Sequence, residues 1–177
     1  MKLQARRFFA RASGRIAQGV GYLAPRRAAA IDAELQRLLN AAEFELVRPL
    51  TVADRAHLLA VYQRLQRLGC RDADVFTAGL LHDVGKVDGD VRVGLVHRTV
   101  AVLLGAISPK LIDRLARSEG GRWRRPFQLV NMHPRRGARL ARDVGCNQRV
   151  CWLIEHHHDT SVKGDAGLWL LQQADGG

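Results

Sequence analysis

Aromatic residues are scarce in this 177-residue chain, at 6%. Its core therefore has to be filled by leucine, valine and alanine, and a hydrophobic share of 47% is enough for one compact domain. The three cysteines, Cys70, Cys146 and Cys151, form neither a CxxC pair nor a disulfide framework. They read as reduced core residues of a cytoplasmic protein. No apolar run reaches the length of a membrane span. Also missing are an alternating pattern long enough for a sheet, an internal repeat, a low-complexity tract, a Walker loop, a GxGxxG turn, zinc-finger spacing and a helix-turn-helix pattern. No serine or cysteine sits in a nucleophile arrangement, which argues against covalent catalysis. What remains is an all-α domain.

Acidic residues are absent from the first 30 positions, which carry seven basic ones. Most of the net charge of +11 thus sits on an N-terminal arm rather than over the body. In that arm Phe9, Ile16, Val20 and Leu23 recur at helical spacing, and Arg7, Arg11 and Arg15 fall four apart on another face. Arg11 and Arg15 interrupt any apolar segment of a signal peptide. We divide the chain into a basic amphipathic arm, 1–26, and a domain, 27–177. Three readings of the arm stay open: it packs on the domain, it is partly disordered, or it lies on an anionic membrane or nucleic acid.

From residue 27 onward the pattern is helical. One helix is expected over Arg27–Leu46, and a second from Pro49 to Leu68, stopped by Gly69. A third, Val75–His82, is capped by Asp72 or Asp74. A turn spans Asp83–Asp90. Further helices hold His97–Leu104 and begin at Ser108-Pro109. A basic loop covers Gly120–Pro126. Asn131 caps a helix Pro134–Val144, ended by Gly145, and the last two helices are Gln148–His157 and Asp165–Ala174.

Seven histidines are not many, but their company is informative. His82 and Asp83 adjoin at a helix end, where the backbone can turn and aim both side chains inward. Gly85 then lets the chain fold tightly. His57 lies on the preceding helix among Ala53, Ala56 and Ala60, and a turn near Gly69 would bring it opposite His82. Asp175 ends the last apolar helix. The blander alternatives are a capping histidine, a hydrogen-bonded core histidine and a solvated aspartate.

The order His57, His82-Asp83, Asp175, with Leu80-Leu81-His82-Asp83-Val84-Gly85-Lys86 as its centre, resembles the signature of the HD superfamily of metal-dependent phosphohydrolases. The resemblance covers about residues 50–175. It implies an HD-type helical bundle in which His57, His82, Asp83 and Asp175 hold a divalent metal. Met132-His133-Pro134, Gly137-Ala138 and Glu155-His156-His157-His158-Asp159 resemble the extended two-metal, HD-GYP-like members. This implies that His133 and His156 serve a second ion, with His157 in or near the site and the register of the triple histidine open by one residue. The chain departs from HD-GYP after that run: Asp159-Thr160-Ser161-Val162-Lys163-Gly164 holds no Gly-Tyr-Pro, which argues against cyclic dinucleotide hydrolysis. The upstream bridging acid is not clearly matched, although Glu43 and Asp54 lie nearby.

Mixed imidazole and carboxylate ligands suit one or two ions of Mn²⁺, Fe²⁺, Co²⁺, Ni²⁺, Zn²⁺ or Mg²⁺. In this reading Asp83 bridges and Lys86 binds phosphate, with His97 and Arg98 as further substrate contacts and Arg135 and Arg136 as weaker candidates. The expected substrate is a phosphorylated small molecule, a nucleotide first, hydrolysed by metal-activated water. The alternatives are a non-catalytic metal-binding regulatory module and a nucleic-acid-associated protein working through the arm. The last makes a direct prediction: the full chain binds RNA or DNA with a steep salt dependence, and deleting residues 1–24 abolishes it. Salt-insensitive binding, or binding that survives the deletion, would sink it.

Overall fold

The computed structural model describes residues 26–88, 91–92 and 125–176. The arm, the expected helices at 97–104 and from 108, and the side chains of His97 and Arg98 lie outside the described residues.

Helix α1 covers residues 26–38. The expected single helix over Arg27–Leu46 is instead two. Asn40 leaves the helical conformation, its side chain accepts from Glu43 N at 2.9 Å, and its own amide donates to Glu43 Oε2 at 3.0 Å. This reciprocal capping box starts α2, Ala41–Val47. Helix α3, Val52–Arg67, begins one turn later than Pro49 because Thr51 supplies the cap, accepting from Asp54 N at 3.1 Å. Gly69 ends it at φ 78°, with Cys70 N bonded to Leu65 O and Gly69 N to Gln66 O. Helix α4, Ala73–Leu81, is capped by Asp72, while Asp74 accepts from the Asn147 side chain, itself the cap of a later helix.

The stretch expected to be a plain turn is more ordered. A 3-10 turn, Val84–Lys86, leads into β1, Val87–Asp88, which pairs antiparallel with β2, Val91–Arg92. Two residues per strand are too few to display an alternation, which is why the hairpin left no pattern in the sequence.

Helix α5 corrects two expectations. It spans Arg125–Asp143, so residues 125 and 126 belong to it rather than to a loop, and it runs through Pro134 instead of starting there behind Asn131. Pro126 falls in the first turn, where a missing N–H costs nothing. Pro134 removes one ladder bond from the interior, ordinarily a loss of about 3 kcal/mol. Packing of the following turns against helix α6, Gln148–His156, and against the 3-10 turn offsets it. Gly145, at φ 91°, ends α5 as Gly69 ends α3. Helix α7, Ala166–Asp175, starts at Asp165.

The core is aliphatic, as the composition requires. Leu35, Leu50, Leu58, Leu65, Leu80, Leu81, Leu153, Ile154, Leu168 and Leu171 are fully buried. Phe44 is the one aromatic in the buried core among the described residues. Helix α3 packs on α4 and α7, α4 packs on α6, and α5 packs on α6 and on the 3-10 turn. Buried Arg55 joins the beginning: its Nη1 donates to the carbonyls of Arg48 and Leu50, and its Nε lies 2.7 Å from Asp32 Oδ1 on α1.

The tightest crossing is between the 3-10 turn and α5. A side chain at Gly85 would run into the backbone of His133 and Gly137, and one at Gly137 would press on the Ile154 side chain. Backbone has no rotamer with which to retreat. Gly85→Ala should therefore destabilise the fold by at least about 3 kcal/mol, the upper end for overpacking, read as a lower urea midpoint. An unchanged midpoint would show that α5 does not lie against this turn.

Candidate metal centre

Helix α4 ends at Leu81, and its last turn aims the site. His82, the C-cap residue, donates from Nδ1 to Gly79 O at 2.9 Å, which leaves Nε2 as a lone-pair donor facing inward. The chain then leaves the helix, so Asp83 points to the same side instead of 100° away. Both are almost wholly buried. Their inner atoms, His82 Nε2 and Asp83 Oδ1, lie 3.5 Å apart and have no hydrogen-bond partner.

Two other helices end at the same place. At the end of α6, His157 donates from Nδ1 to Ile154 O at 2.7 Å, the same three-residue step back as in His82. At the end of α7, Asp175 Oδ1 lies 2.9 Å from His57 Nε2 and 3.3 Å from His82 Nε2. Helix α3 contributes His57 and α5 contributes His133, whose Nε2 is 3.6 Å from Asp83 Oδ1 and 3.3 Å from His157 Nε2. Each helix C-terminus carries roughly half a negative charge, so three of them converging favour a cation between them.

The ligand atoms fall into three overlapping groups, each within 4.8 Å: His57, His82 and Asp83; His82, His157 and Asp175; His133, His157 and solvent-facing His158. His57, His82, Asp83 and Asp175, expected to share one site, are brought together, and His133 and His157 adjoin them. His156 is not brought in. It is still a helical residue, donating from Nδ1 to Trp152 O at 2.8 Å and stacking on the Trp152 ring. His158, two residues on, takes the place expected of His156. The only advance signal was the open register of the triple histidine.

Electrostatics match the geometry. Burial, the largest effect, would push the Asp83 carboxyl up, but His82, Lys86 and His133 outweigh it and hold it well below the usual carboxylate range. Burial opposes ionisation of Asp175 too, and the hydrogen bond with His57 and the closeness of His82 overcome it. His82 is pulled down by burial and pushed further up by Asp83 and Asp175. His157, buried and beside His82 and His158, is lowered to about 2 and is a neutral ligand at any ordinary pH. The Lys86 ammonium is engaged with Asp83 Oδ2 at 2.5 Å. All three cysteines are free; Cys70 and Cys151 are buried, and burial and Glu43 push the Cys146 thiol up to about 12, away from the reactive thiolate.

These residues fit a divalent metal. Two buried atoms lacking a hydrogen-bond partner, His82 Nε2 and Asp83 Oδ1, are of the two types that such an ion takes, and the Nδ1 bonds already fix the required tautomers. The sequence model of the HD domain matches residues 49–175, well over half of the chain. The protein belongs to the HD domain family. HD domains are in general metal-dependent phosphohydrolases, and their divalent metal is what the site chemistry here accommodates. No curated protein and no solved structure matches the chain. Among the described residues, no helix is long and apolar enough to cross a membrane.

A sign follows for the metal-free protein. Asp175 is held below its unfolded value of about 3.9, so its contribution to stability is complete above that pH and is lost as the pH falls below it. Asp175→Asn should therefore lower stability at pH 6, and the gap to wild type should close on acidification below about pH 4, measured by urea titration. A gap that widens on acidification would refute the pairing with His57 and His82.

Proposed function

We propose that the chain hydrolyses a phosphomonoester or phosphodiester bond in a nucleotide-class substrate, using two divalent ions. The observation that carries this is the set of five histidines and two aspartates on α3 and α5 and at the ends of α4, α6 and α7, whose ligand atoms form three overlapping groups that include two buried atoms without hydrogen-bond partners. His57, His82, Asp83 and Asp175 would hold one ion, and His133, His157 and His158 the other. Asp83 Oδ1, between His82 and His133, would serve both. With imidazoles outnumbering carboxylates, the donors suit Mn²⁺, Fe²⁺, Co²⁺, Ni²⁺ or Zn²⁺ better than Mg²⁺, which prefers oxygen. Such ions lower the pKa of bound water and polarise a phosphoryl oxygen.

The protein groups hold, orient and neutralise. Lys86 orients Asp83 by binding Oδ2, and an ammonium has two donors left for a phosphoryl oxygen of an anionic substrate. Substrate contacts by His97 and Arg98 belong to the same proposal. The three free thiols support a reducing, cytoplasmic setting.

The test is elemental analysis of untagged protein, followed by assay on nucleotide mono- and diesters after loading with Mn²⁺ or Fe²⁺ under reducing conditions. Two ions per chain are expected, with His82→Ala and Asp83→Ala losing tightly held metal and Asp83→Asn losing at least about 100-fold in kcat/KM. Unchanged metal content in both alanine variants would overturn the site. Stoichiometric metal with no turnover across the panel would favour a regulatory metal-binding module.

A further inference from the structure

Asp175 sits at the last position of α7, and the end of a helix is where backbone carbonyls lack intrahelical partners. A ligand mounted there moves whenever the last turn frays. One side chain outside the metal cluster addresses that weakness. Arg64 Nη1 donates to the carbonyl of Ala174, the residue before Asp175, at 2.7 Å. Arg64 lies on α3 seven residues after His57, two turns along the same face. Helix α3 thus grips the end of α7 twice, through the Ala174 carbonyl and through the Asp175 carboxylate. The guanidinium also puts a cation on a helix C-terminus, where the dipole favours it.

A second tie braces the same turn from the other side. Gln172 Nε2 donates to Asp159 O at 3.0 Å, just after His157-His158, and Asp159 is itself held in a tight turn by Ser161. With Gly176 N closing on Gln172 O, the final turn of α7 carries its own capping bond and two side-chain ties.

We propose that Arg64 is a positioning residue for the metal centre: it fixes the last turn of α7 so that the Asp175 carboxylate is presented to the ion shared with His57 and His82. This rests on the metal-site reading above, and it adds a residue that touches neither metal nor substrate.

The test uses the full chain and Arg64→Met, which keeps the apolar stem and removes the donors, with Arg64→Ala as a second variant should the first not fold. Two readouts are taken. The first is hydrogen exchange of the amides of residues 173–176 in metal-free protein, which should quicken in Arg64→Met while the α3 and α4 amides stay protected. The second is Mn²⁺ binding by equilibrium dialysis. Affinity at one of the two positions should fall about 10–100-fold, with the other kept. Arg64→Lys, able to reach the same carbonyl, should recover most of the loss. Arg64→Met combined with Asp175→Asn should bind no more weakly than Asp175→Asn alone. Wild-type Mn²⁺ binding with no change in Arg64→Met overturns the positioning role and leaves the metal site standing. So does an equal weakening of both positions, or unaltered exchange at 173–176. Absence of Mn²⁺ binding in wild type overturns the site reading and this proposal together.

Discussion

Burying His82 and Asp83 side by side at the end of α4 is the constraint from which the rest of the structure follows. Both are essentially removed from solvent, and burial is the largest single influence on the ionisation of each. An aliphatic domain of this size would not tolerate two such groups unless their surroundings offset the lost hydration. Everything that packs around them does so. Lys86 binds the outer carboxylate oxygen, Gly79 accepts from the imidazole, Asp175 approaches Nε2, and His133 approaches Oδ1. The two inner atoms still lack hydrogen-bond partners. An arrangement that satisfies the outside of a pair and leaves its inside facing further imidazole and carboxylate groups is one that could hold a cation.

The cradle is built by one device used twice. Helices α4 and α6 are each followed directly by two consecutive polar residues, His82-Asp83 and His157-His158. In each the first imidazole bonds the carbonyl three residues back, and the second residue is carried round by the chain as it leaves the helix. This explains why adjacent residues, which diverge on a helix, converge here. It also explains why His156 is excluded. One residue earlier, the backbone is still helical, the ring bonds the carbonyl four residues back, and it lies on Trp152 instead.

That contrast marks the boundary of what the sequence made legible. Helix ends governed by a single strong local signal were readable: Gly69 and Gly145 end their helices as expected, and Asp72, one of two expected caps, starts α4. The capping box at Asn40 and Glu43 was equally readable, and two helices were expected as one because the apolar rhythm ran past it. Helix α5 was different. Pro134 is a genuine local stop signal, overridden by packing against α6 and the 3-10 turn, which no local pattern carries. The clustering of His57, His82, Asp83 and Asp175 was expected from a motif and the order of its parts, and these side chains do lie together. Choosing among His156, His157 and His158 needed the phase at which α6 ends, and a shift of one residue changes the answer completely.

The division of the cluster along the chain has a consequence for how it is maintained. His57 and Asp175 are 118 residues apart in sequence and 2.9 Å apart in space. A contact closing so long a segment forms only when intervening elements are in place, since its loop entropy must be met by the packing of α3 on α7 and α4 on α7. The His133, His157 and His158 group is closer to local, carried by two helices joined by a tight turn. Asp83 belongs geometrically to both halves, 3.5 Å from His82 and 3.6 Å from His133. Its position depends on Gly85, which admits α5 to within backbone contact of the turn. The closeness of that crossing therefore sets the separation of the two halves, and with it whether one carboxylate oxygen can face both.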